Sequence, residues 1–171
     1  STGIADAQLN AASATLVIAR ELRIAGQGLG PPDALGCPIV HDLSALGTIS
    51  LLPVEIMNGA SGAPDRLRIL ASGSPQIISS ANLIAAHAAT DSAIVVDSTL
   101  GITPEQRLLL YEPGKNCALF KATSIPVGSY RITHSPLSAS GMPDYSSAAR
   151  LINLGSVHYV EFFIDTNDYL Q

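Results

Sequence analysis

The 171 residues are enough for one sizeable domain with a real core and too few for two. Hydrophobic residues make up 47% and charged residues 13%, about half the charge density usual for a soluble domain, so some apolar surface is expected to be covered by something outside the chain. A net charge of −5 without long runs, no Trp and 5% aromatics give no electrostatic case for nucleic acid or an anionic membrane, and no stacking platform for bases or sugars.

In chain order, the first element is a helix. Ala5, Leu9, Ala12, Leu16 and Ala19 recur at spacings of 4, 3, 4 and 3, which puts them on one face. A second apolar line runs beside it through Ile4, Ala7, Ala11, Ala14, Ile18, Leu22 and Ala25, with Asp6, Asn10, Ser13, Arg20 and Gln27 on the remaining stripe. So wide an apolar arc asks for more than one dry neighbour: the chain's own sheet with a second subunit, or its own sheet wrapped around the helix. Gly26, Gly28, Gly30 and Pro31-Pro32 end the helix, because glycine and proline do not continue one cheaply.

Beyond the break the pattern becomes β. Residues 33–50 read as a loop without a clear period. Candidate strands follow at 52–57, 66–71, 76–80, 93–97, 106–111, 118–124, 129–133, 149–154 and 157–164, separated by turns such as Asn58-Gly59 and Glu112-Pro113-Gly114. The Ala-rich 80–90 segment reads equally as a helical turn or a strand. Alternation in Arg66-Leu67-Arg68-Ile69 and in His158-Tyr159-Val160-Glu161-Phe162 marks half-exposed antiparallel strands. Helices do not recur between strands, so a parallel βαβ fold is disfavoured. The expected class is α+β: a helix over residues 1–28 packed on a largely antiparallel sheet over 29–171, together one structural domain.

No apolar run reaches the roughly 18–20 residues of a membrane-spanning helix, and no signal peptide is visible. The helical start at Ser1 reads as a trimmed one, with any export or anchoring segment upstream. The two cysteines, Cys37 and Cys117, would pair in an exported domain and stay free in a reducing cytosol, and the sequence alone leaves both open.

Several phrases, taken together and in order, narrow the plan. They are Ala19-Arg20-Glu21-Leu22-Arg23-Ile24-Ala25-Gly26 with Gly36-Cys37, Gly62-Ala63-Pro64-Asp65-Arg66-Leu67-Arg68-Ile69, Arg107-Leu108-Leu109-Leu110 with Cys117-Ala118-Leu119-Phe120-Lys121-Ala122-Thr123, Ile132-Thr133-His134-Ser135, and Ala149-Arg150-Leu151-Ile152 ahead of Val157-His158-Tyr159-Val160. Over about residues 15–164 the chain resembles the PilW-type minor pilins of type IV pili, within the pilin and pseudopilin superfamily. The resemblance implies a pilin-like fold, a Cys37–Cys117 disulfide, and a structural, non-enzymatic role. Such a protein is periplasmic before assembly and then part of an extracellular filament, where its roles are in adhesion, motility or DNA uptake. It implies packing on other pilin subunits through Ile4, Leu9, Ala12, Leu16, Ile18, Ala19 and Leu22. The family's cleavage glycine, methylated aromatic and membrane-spanning half-helix are expected upstream of Ser1. Members of the family continue beyond the point where this chain stops, so either the family's later part is missing here or a second chain pairs with the C-terminal sheet edge. A J-type pseudopilin of type II secretion and a periplasmic binding or adhesion module are the alternatives.

No motif supports catalytic chemistry. His41, His87, His134 and His158 are scattered, without HExxH or a cysteine at zinc spacing, and read as strand or loop residues. His41-Asp42 with Ser44 contains triad residue types, but such close neighbours in sequence cannot take up the three roles together. Gly26, Gly28 and Gly30 follow a helix instead of a strand, which rules out a nucleotide loop. No cofactor or metal is expected. Asp165, Asn167 and Asp168 are a weak calcium candidate, lacking the glycine and distal glutamate of a calcium loop.

Overall fold

The computed structural model describes residues 2–41, 48–73, 80–135, 141–165 and 170. It is mixed α and β, with one N-terminal helix and far more strand than helix. The residues group into two compact units, each built from separate stretches of chain: 1–27, 53–71 and 158–171 in the first, and 28–52 and 72–157 in the second.

The first unit holds the helix α1 (Thr2–Ile24) and a three-stranded sheet of β3 (Val54–Met57), β4 (Arg66–Ser72) and β11 (Val157–Phe162), in the order β11-β4-β3. β3 and β4 pair antiparallel, with Val54 opposite Ile69 and Ile56 opposite Leu67. Helix α1 ends at Ile24, short of the expected boundary at 28. Gly26 adopts a φ of 78°, which suits a residue without a Cβ. Its N–H donates to the Leu70 carbonyl at 2.9 Å, and an added Cβ would stand 3.0 Å from Pro53. Helix end and sheet are thus joined through one glycine.

The second unit is an eight-stranded sheet. Its strands are β1 (Pro38–His41), β2 (Ile49–Ser50), β5 (Ser80–Asn82), β6 (Ala93–Val95), β7 (Arg107–Tyr111), β8 (Cys117–Ser124), β9 (Arg131–His134) and β10 (Arg150–Gly155). The main path is β2-β1-β8-β7-β10-β5, with β9 also on β8 and β6 on β9. Leu108, Leu109 and Leu110 of β7 and Ala118, Leu119 and Phe120 of β8 are all buried, so both faces of the central strands are covered. That is why these strands read as continuous apolar runs instead of alternating ones. On one face Phe120, Leu108, Leu110, Ile94, Ile132, Tyr145 and Leu151 form the core cluster.

Two expectations are corrected, and one left open is decided. The stretch 33–50 is not all loop: β1 and β2 lie in it, too short and too irregular to show a period. The strands form two sheets, and the larger is not wholly antiparallel, since β1 runs parallel to β8 with Ile39 opposite Cys117. The ambiguous 80–90 segment begins as a strand, β5, pairing with β10. Most of the expected 76–80 strand lies outside the described residues.

Candidate assembly surface

Helix α1 has two unlike halves. Every described side chain from Gly3 to Ser13 is exposed, whereas Ala14, Ile18, Ala19, Glu21 and Ala25 are half-buried. Ala14, Ile18, Glu21 and Ala25 follow the helical repeat at i, i+4, i+7 and i+11, so one stripe of the C-terminal half is turned inward, with Ala19 beside it. A polar tie fixes it there: His158 on β11 and Glu21 on α1 are 2.6 Å apart. Apolar side chains of both lines stay bare outside that stripe. Leu16 is 72% exposed, Ile4 70% and Leu9 67%, and Leu22 and Val17 are exposed with them. Of the residues expected to pack on neighbouring subunits, Ile4, Leu9, Ala12, Leu16 and Leu22 are therefore solvent-facing in the single chain, while Ile18 and Ala19 are partly taken up by the fold. The only formal charge among residues 3–19 is Asp6.

The apolar surface continues from the helix onto the sheet. A groove of about 260 Å3 is lined by Ile18, Ile56, Leu67, Phe162, Ile164 and Leu170, with Ile56 itself well exposed at β3, the edge strand. Another set of side chains from the same three strands carries charge. Glu161 accepts from Arg66 and Arg68, each at 2.9 Å, and from the Tyr159 hydroxyl at 2.9 Å. Glu55 stands 3.6 Å from Arg68. Burial raises Glu161, but hydrogen bonds from Arg68, Tyr159 and Arg66 outweigh it and hold the carboxyl below its ordinary value. Burial and the bond to Glu161 push Tyr159 up to about 12. The sequence showed the alternation of these strands but not which charges meet, because Arg68 and Glu161 lie 93 residues apart.

In the second unit Cys37 and Cys117 form a disulfide across a sequence separation of 80, just beside the point where β1 joins β8. Of the calcium candidates, Asn167 and Asp168 fall outside the described residues, as do Asp42 and Ser44. No group of three or more His, Cys, Asp or Glu suited to a metal occurs among the described residues, and no described helix is long and apolar enough to cross a membrane. His87 and His134 are buried together, a pairing that nothing in the sequence announced. Compared with known families, characterised proteins and solved structures, the chain matches none.

Proposed function

We propose that this chain is a structural subunit of a filament of the type IV pilus kind, a pilin-like minor subunit that assembles through α1. The observation that carries the reading is the bare helix: eleven consecutive residues, 3–13, are exposed in the single chain, with the large apolar side chains of Ile4 and Leu9 among them. A helical segment this short is marginal in water by itself, since isolated helices below about 12–15 residues rarely persist. Covering it with another chain would both hold the helix and remove its apolar surface from water.

Magnitudes favour several neighbours over one. Burying Ile4, Leu9 and Leu16 would yield about 1.5–3 kcal/mol each, against the roughly 4–15 kcal/mol of freedom lost on association. A pairwise contact through this face alone is therefore weak, while a subunit touched by several copies in a filament is held firmly. The groove beside Ile18 enlarges the same surface. The role is structural, without catalysis or cofactor, and its setting would be the periplasmic side of a membrane before assembly and an extracellular filament afterwards.

The test is made on filaments sheared from the native cells. Mass spectrometry should find this chain in them, and Leu9→Asp with Leu16→Asp should abolish incorporation while changing the stability of the isolated protein by less than about 0.5 kcal/mol, as expected for exposed sites. Incorporation of the double variant at the normal level would overturn the role of α1. A protein found only free in the periplasm would favour a binding module.

A further inference from the structure

His87 and His134 are 2% and 4% exposed, in a unit whose core is otherwise almost wholly apolar. His87 stands in the segment between β5 and β6, where its N–H and C=O exchange hydrogen bonds with Tyr145 at 2.9 and 2.8 Å. His134 ends β9, and its N–H donates to the Ser92 carbonyl at 3.0 Å. The rings meet nearly edge to face, centroids 5.2 Å apart, and the His134 ring lies 4.5 Å from that of Phe120 on β8.

The hydrogen bonds define the tautomer of the neutral rings. His87 Nδ1 is 3.3 Å from the Ala93 carbonyl and His134 Nδ1 is 2.9 Å from the Ser135 carbonyl. A carbonyl only accepts, so Nδ1 carries the hydrogen in both rings, and each Nε2 is a bare lone pair. Both Nε2 atoms, together with Ser135 Oγ, are buried without a hydrogen-bond partner among the described residues. A proton added at either Nε2 would create a buried imidazolium whose new N–H has no acceptor, beside a second ring that cannot then be charged cheaply. The carboxylates that bear on the pair are Asp91, 3.8 Å from His87 Nδ1, and Asp144; both are committed to backbone N–H groups, of Ala88 and Ala89 respectively. β8 offers the pair the ring of Phe120.

We propose that the buried His87–His134 pair is an acid-sensitive latch, which while neutral holds the His87 segment against Tyr145 and β9, and which opens that end of the second unit when either ring is protonated. The sign follows from the burial. Desolvation holds both imidazoles below the ordinary 6.5, with Asp91 opposing this only in part. The latch is thus fully closed above about pH 6.5, and its contribution is lost as the pH falls from there through the folded values.

The test follows amide hydrogen exchange and the imidazole NMR signals of the whole chain over about pH 7.5 to 5, where unperturbed histidines titrate. The second sample is the double variant His87→Asn/His134→Asn, whose amide N–H groups replace both Nδ1 donors. In the native protein, protection factors at His87, Tyr145 and His134 should fall about tenfold for each unit by which the ring values are depressed. Leu109 and Leu119 should stay protected, and both rings should remain neutral until the loss begins. The double variant should show no such fall over the same range. Flat protection in the native protein, or two rings that titrate near 6.5 with protection intact, would overturn the latch. So would a rise in protection on adding Zn2+, which would make the two lone pairs a metal site. The ring titration of the native protein decides the question even where the variant fails to fold.

Discussion

Asn153 on β10 is a buried polar side chain. Its amide donates to the Gly101 carbonyl at 3.0 Å and to Gln106 Oε1 at 2.8 Å, while its Oδ1 accepts the Gly155 N–H at 2.9 Å. These bonds sit where the β10–β7 register shifts, so one side chain satisfies the backbone that the bulge frees. Asn153→Ala should cost about 1–3 kcal/mol, since the partners left behind are buried or half-buried; urea melts measure it. Glu161 makes a second residue-scale prediction. Its carboxyl is held below the ordinary value of 4.5, so its stabilisation is present above about pH 4.5 and lost as the pH drops through the folded value. Glu161→Gln should cost about 1–3 kcal/mol near neutrality, and the gap between native and variant melts should close in acid. A constant gap would place the effect in packing instead of charge.

Among the elements, α1 and the β1–β8 pair carry the sharpest expectations. Along the helix, partial burial begins only at Ala14, so amide exchange in the isolated protein should be fast over the first half of the helix and slow over the second. The proposed assembly through α1 would slow the first half as well; equal protection of both halves in the isolated protein would contradict the division. The parallel β1–β8 ladder is only three residue pairs long, and parallel pairing is slightly weaker per residue than antiparallel. The disulfide beside it closes a long loop and so removes freedom from the unfolded chain. Replacing Cys37 and Cys117 together by serine should lower stability by about 4–5 kcal/mol, an upper figure from the chain-entropy argument. An unchanged melting temperature would mean that β1 is held by packing alone.

At the scale of the molecule, neither unit is a continuous stretch of sequence. In the second unit Phe120, fully buried, belongs to one core cluster with Leu108, Ile94, Ile132 and Tyr145. Phe120→Ala should cost about 3–5 kcal/mol, because a close-packed site cannot collapse around so large a void. Much of the α+β plan was legible beforehand. The helix, its glycine stop and eight of the strands showed as local periodicity and turn chemistry, which neighbouring residues suffice to express. The low charge content likewise marked apolar surface without cover, and Ile4, Leu9 and Leu16 prove to carry it. Other features were decided only in three dimensions: the parallel docking of β1 on β8, the division into two sheets, the Arg68–Glu161 pairing and the meeting of His87 with His134. Each joins segments far apart in the chain, where register and burial choose the partner and no local pattern records the choice.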